Sequence, residues 1–172
     1  MLSLTLLLVN STSLIAEQSN HDQKKYIDNG VVRLGVDLSS GGSVFYFAET
    51  DTMRNLLNHF DRGRFMQQSY YGDRDGSVWV WAKETKQWRW NPVQGGDYKG
   101  APAILLDYQA SATGLYNKST PKHWASGEDI TDAVMEQWIS LDGPVAHIRY
   151  RFTYTGTHDH RARHQEMPAV FV

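Results

Sequence analysis

Between Asn55 and Gly100 the chain gathers side chains that suit one kind of ligand. Four of its six Trp fall there, Trp79, Trp81, Trp88 and Trp90, together with Tyr70 and Tyr71. A Gly63-Arg64 turn, the adjacent Gln67 and Gln68, and Gly95-Gly96 lie among them. Planar apolar faces mixed with amide, Arg and Asp groups match a sugar. A pyranose offers a flat C–H face for stacking and a rim of hydroxyls for hydrogen bonds. The candidate binding residues are Arg64, Gln67, Trp90, Asn91, Gln94 and Asp97, with Asn58 beside them. Glu166 and His59 are the candidate catalytic pair. A carboxylate entering a strand can serve as general acid or base against His59, His123 or Tyr70.

Each of these residues has a plainer alternative. Trp88 and Trp90 alternate, so an extended segment would point both to one side, as a stacking platform or as sandwich core. Trp79 and Trp81, flanked by Val78 and Val80, read as core. Arg64 could grip a carboxylate such as that of a uronic acid, or pair internally with Asp61 or Asp73. Gln67 and Gln68 point to opposite faces of a strand, so at most one faces a ligand. Glu166 could instead accept backbone or Arg hydrogen bonds. His158, His160 and His164 have a metal-like spacing, but Asp159, Arg161 and Arg163 among them favour a solvated loop, and no metal is expected. No cofactor fingerprint, phosphate loop or nucleophile elbow is present.

The elements that must position these groups are strands. Val32, Leu34, Val36 and Leu38 share one face of an alternating segment, followed by the turn Ser39 to Gly42 and a second strand, Ser43 to Ala48. Phe65 to Tyr71 and Ser77 to Ala82 read as strands separated by turn residues. Lys83 to Lys86 reads as a charged tip and Trp88 to Gly100 as an ordered loop. Glu49 to Asn58 has room for one helical turn. Ala103 to Ala110 pairs with Gly114 to Lys118, and Ala133 to Leu141 with Val145 to Thr155. Ile148, Tyr150, Phe152 and Tyr154 face one way. Met167 begins a final strand. Many short strands without helical period predict an all-β sandwich.

The 172 residues fit one domain, with 41% hydrophobic and 21% charged residues. A net charge of −2 and the absence of a Lys/Arg run disfavour a nucleic-acid surface. There is no Cys, hence no disulfide frame or thiol nucleophile. Residues 1–16 carry an apolar run from Leu2 to Val9 and a small residue at Ala16, as a signal peptide does, although no basic residue precedes Lys24. The run is too short to span a bilayer. The expected organisation is a signal peptide over 1–16, a polar leader over 17–25 and a β-sandwich over 26–172, in a secreted or periplasmic protein.

The layout from Tyr26 to Leu57 resembles the opening of galactose-mutarotase-like domains: a short strand, Asn29-Gly30, an alternating strand, Gly41-Gly42, a second strand, then Asn55-Leu56-Leu57. The resemblance continues at Gly63-Arg64 and at Asn91-Pro92-Val93-Gln94-Gly95-Gly96. It implies a β-supersandwich of which this chain covers the N-terminal portion, and a sugar cleft at those two motifs. Aldose 1-epimerases carry an Asn-Arg pair where Gln67-Gln68 stands here, and a His where Gln94 stands. Gln can orient a hydroxyl but cannot transfer a proton at neutral pH. Most of the chain is also similar to a group of uncharacterised bacterial proteins, through Gln68-Ser69-Tyr70-Tyr71, Trp90 to Asp97 and Gln165 to Val170. The combined expectation is a carbohydrate-binding or carbohydrate-processing domain without the epimerase His and Arg. The alternatives are a non-catalytic adhesion sandwich, or part of a polysaccharide lyase or glycoside hydrolase with catalytic groups beyond Val172.

Overall fold

A computed structural model describes residues 23–172 except 59, 61 and 162. The signal segment and the candidate base His59 lie outside the described residues. The fold is all-β and antiparallel. Strands β1 (Lys24–Asp28), β2 (Val32–Asp37) and β3 (Ser43–Glu49) form one sheet. The expected polar leader therefore ends earlier than residue 25, because Lys24 and Lys25 already pair with Asp37 and Val36. β4 (Gln67–Ser69), β7 (Pro92–Val93), β10 (Lys122–His123) and β13 (Glu166–Ala169) form a second sheet in the order β10-β7-β4-β13. The long strands β8 (Ile104–Ala110), β9 (Gly114–Thr120), β11 (Ala133–Asp142) and β12 (Val145–Tyr154) form a third, in the order β12-β11-β9-β8. β5 (Val78–Trp81) and β6 (Glu84–Gln87) make a hairpin that, among the described residues, pairs with no other strand.

The first two sheets meet where Val44 and Met66 exchange backbone hydrogen bonds of 3.1 and 2.9 Å. Together they face the third sheet. Alternation explains the apolar half of the interior. Ile27, Leu34, Val36 and Val44 of the first sheet pack against Leu115 and Ile139 of the third, with Leu38 and Leu57 closing the cluster. Each such side chain contributes about 1.5–3 kcal/mol when fully buried. The Glu49 to Asn58 segment forms no helix; it crosses as a turn and loop that inserts Leu57.

The other half of the interior is polar. Gln67, Gln68, Gln94, Asn117 and Gln137 are all fully buried. Gln94 donates to the Asn117 side-chain oxygen at 3.1 Å and to the Gly41 carbonyl at 3.2 Å, and accepts from the Gln68 backbone N–H at 3.3 Å. Asn117 and Gln137 both donate to the Gly42 carbonyl, at 3.1 and 3.0 Å. Gln68 reaches the Glu136 carbonyl at 2.9 Å. These amides tie the 38–42 turn, the second sheet and the third sheet together. Gly42 has φ +74, and a Cβ there would stand 2.6 Å from Asn117 Nδ2, so only glycine fits.

Two segments differ from the sequence reading. Of the expected tip Lys83 to Lys86, only Lys83 is in the turn, at Ala82-Lys83 with Ala82 at φ 52; Glu84 to Lys86 belong to strand β6. Trp88 to Gly100 contains a short strand, Pro92–Val93, between β10 and β4. Its polar composition concealed it because the flanking residues are buried amides and turn glycines, not apolar alternation.

Candidate functional site

The second sheet carries the site. Glu166 of β13 sits opposite Ser69 of β4, and Ser69 sits opposite Val93 of β7. Above Ser69 opens a cleft of about 150 Å³ lined by Arg64, Tyr71, Trp88, Asn91, Trp124 and Glu166, with Phe171 at its edge. Three of the candidates singled out in the sequence, Arg64, Asn91 and Glu166, therefore converge on one cavity.

Trp88 forms its aromatic wall. The indole is half-buried and backed by Trp124, with ring centroids 4.8 Å apart, and by Trp79 at 6.2 Å. Trp79 in turn stacks on Trp124 at 6.1 Å and 20°. The Trp88 Nε1–H donates to Asn91 Oδ1 at 3.1 Å. Asn91 is itself fixed, donating to Ser69 Oγ at 3.2 Å and to the Tyr70 carbonyl at 2.7 Å. The ring is thus held at both its face and its polar edge before any ligand arrives.

The polar part of the lining is made by Arg64, Tyr71 and Glu166. Arg64 is exposed at the end of the short Arg62–Arg64 turn, its guanidinium 5.7 Å from the Phe60 and Phe171 ring centroids. Asp73, one expected partner of Arg64, is instead ion-paired with Arg163; Asp61, the other, lies outside the described residues. The Glu166 carboxylate lies close enough to the Tyr71 hydroxyl to act on it electrostatically. Burial, then the Glu166 charge, push the Tyr71 hydroxyl up to about 12. At neutral pH Tyr71 is therefore a hydrogen-bond donor. Glu166, which lines the cleft, is the group able to accept a hydrogen bond from a sugar hydroxyl. Gln165 anchors the strand start by pairing both ways with the Tyr71 backbone, at 2.6 and 3.1 Å.

Four other candidates are placed elsewhere. Gln67 and Gln94 are fully buried and do not line the cleft. Gln67 accepts from the Gly95 N–H at 2.5 Å and donates to the Arg62 carbonyl at 2.7 Å. It therefore braces the Arg62–Arg64 turn from beneath. Asp97 is buried and accepts from the N–H groups of Lys99 and Ala101, at 3.0 and 2.6 Å, closing the 97–101 loop. Trp90 does not share a side with Trp88. It stacks on His160 at 4.2 Å and 17°, with Tyr154 edge-on at 5.3 Å. Gly72 permits this, since a Cβ there would stand 2.6 Å from His160 Nδ1 and 2.8 Å from Trp90 Cε3. The 88–91 segment is irregular, so alternation does not govern it.

The core reading of Trp81 also fails: it is 51% exposed because the β5–β6 hairpin has no second layer over it. His123 is buried, with Nδ1 accepting from two backbone N–H groups and Nε2 2.8 Å from Asp75, a brace for its own loop. Asp73, His158 and His160 place donor atoms within 4.8 Å of one another. Asp73 is ion-paired with Arg163, and His160 Nδ1 accepts the Asp73 N–H at 3.3 Å. A larger hollow of about 520 Å³ on the third sheet is walled by Trp138, but Arg149 stands 4.2 Å from that ring centroid. The sequence reading missed Tyr71, Trp124 and Ser69 as lining residues. Trp124 sits 36 positions after Trp88 in the chain, and nothing local links them.

No family model matches the chain, and no curated protein matches it. Among solved structures it is similar to a 4-alpha-glucanotransferase from Thermococcus litoralis, at 16% identity and a TM-score of 0.47. The match covers 75% of this chain and 22% of that one, so the chain spans about a fifth of that protein's length. The cleft, not this likeness, carries the functional reading.

Proposed function

We propose that this protein is an exported carbohydrate-binding domain whose ligand lies in the cleft lined by Trp88, Arg64 and Glu166. One observation carries the reading: a half-buried indole, locked by Asn91 and backed by two further Trp, lines a cavity of about 150 Å³ together with a guanidinium and a carboxylate. Stacking on Trp88 would supply affinity, and the charged wall would select hydroxyl orientation. Gln67, Asp97, Gln94 and Trp90 act as the scaffold of the site. The apolar run Leu2–Val9 and Ala16 support export. The galactose-mutarotase-like pattern supports a sugar ligand; Gln68 and Gln94 in place of that family's Arg and His favour recognition over isomerisation. Calorimetry against an oligosaccharide panel tests this. Trp88→Ala and Arg64→Ala should each weaken binding while the far-ultraviolet spectrum is kept. Unchanged affinity in both would overturn the assignment.

The Glu166–Tyr71 pair favours a second reading, glycan processing, with Glu166 as the proton-accepting group. Under it, Glu166→Gln abolishes turnover of a bound glycan but leaves binding within a fewfold. A wild-type chain that binds glycan and releases no product leaves recognition alone.

A further inference from the structure

The cleft does not end at Trp88. A second hollow, of about 460 Å³, adjoins it, and Tyr71 and Trp88 are walls of both. Its remaining walls include Arg89, Arg163 and His164. The cationic side chains differ in what balances them. Arg163 is neutralised by Asp73. Arg89 is half-buried and pairs with no carboxylate among the described residues. Its charge nonetheless reaches the Tyr71 hydroxyl. An uncompensated guanidinium in a concave, aromatic-walled site is partly stripped of water, so an anion placed there gains more than one on an open surface.

Across the shared wall the sign reverses. Glu166 is the carboxylate of the first compartment, near the Tyr71 hydroxyl. The groove therefore has a hydroxyl-accepting end at Glu166, an aromatic middle at Trp88 and Tyr71, and an anion-accepting end at Arg89. A neutral sugar would leave Arg89 unanswered. A ring bearing one anionic substituent and several hydroxyls would satisfy all three. An extended polyanion such as nucleic acid would instead bring phosphates against Glu166 in the first compartment.

We propose that the groove takes an acidic glycan over two adjoining sugar positions, with the carboxylate or sulfate of one residue on Arg89 and a hydroxyl edge of the next on Glu166. This rests on the carbohydrate reading of the cleft. The shared chemistry is a singly charged planar or tetrahedral oxyanion on a pyranose, which a guanidinium fork matches.

The experiment is calorimetry of the whole chain with three oligosaccharides of equal length: an oligogalacturonate, a sulfated galactan and a neutral malto-oligosaccharide. At least one acidic ligand should bind about tenfold or more tightly than the neutral one at low salt, the gap narrowing as salt rises. Which acidic ligand wins tells carboxylate from sulfate. Arg89→Gln should remove most of that advantage while leaving affinity for the neutral ligand unchanged, and Arg89→Lys should restore part of it. Equal affinity for all three, lost in Trp88→Ala, overturns the acidic preference and leaves the sugar site standing. Binding to none of the three overturns both.

Discussion

The Trp88 indole N–H donates to the Asn91 side-chain oxygen at 3.1 Å, and Asn91 spends its own N–H groups on Ser69 and the Tyr70 carbonyl. One buried amide thus fixes the aromatic wall to the strand that forms the floor of the cleft. Asn91→Ala leaves the indole N–H and the Tyr70 carbonyl without these partners. It should cost about 1–3 kcal/mol in urea denaturation. Weaker glycan binding should accompany it, because Trp88 loses its set orientation.

Trp88 and Trp90 should separate in mutagenesis. Trp88→Ala should cost about 2 kcal/mol of binding, roughly thirtyfold, measured on the folded fraction. Trp90→Ala removes the ring under His160 and beside Tyr154. It should lower stability by about 2–3 kcal/mol and leave glycan affinity of the folded fraction near wild type. Paired calorimetry and denaturation curves separate the two; binding lost with Trp90 rather than Trp88 would move the site to the His160 side.

Gln94 makes the sharpest contrast with a ligand-contacting residue. Gln94→Leu keeps the volume and removes the donor to Asn117 and Gly41. Two buried oxygens and the Gln68 N–H lose a partner, at about 1–3 kcal/mol each. A fall in the urea midpoint is expected, with glycan affinity unchanged wherever the variant is folded.

Alkaline titration should expose the buried hydroxyls. Tyr70 and Tyr71 are both pushed up to about 12, by burial and, for Tyr71, also by Glu166. Because the fold raises these values above the ordinary 10.0, the stabilising effect of the neutral hydroxyls is complete below about pH 10. It is lost as pH rises through about 12. Absorbance at the tyrosinate band should show a late-titrating class. Glu166→Gln should bring Tyr71 down toward its ordinary value, since a neighbouring negative charge is removed; no change would separate Tyr71 from Glu166.

The hydrophobic part of the fold was legible because it obeys a short-range rule. Leu34, Val36 and Val44 declare their burial by alternation and by the turn at Gly41-Gly42, and β11 with β12 declares its pairing by two matched alternating runs across one tight turn. The polar core was not legible. Gln67 and Gln94 carry the residue type of a sugar contact, and only the burial and hydrogen bonds given by the folded chain tell a satisfied interior amide from an exposed one.

Sequence by itself therefore determined the all-β class and most strand positions. Tertiary structure alone decided membership of the cleft. Arg64, Trp88, Asn91, Trp124 and Glu166 are spread over about a hundred positions and are brought together by strand pairing between β4, β7, β10 and β13. Such pairing depends on contacts remote in the chain, which local patterns of residue type do not encode.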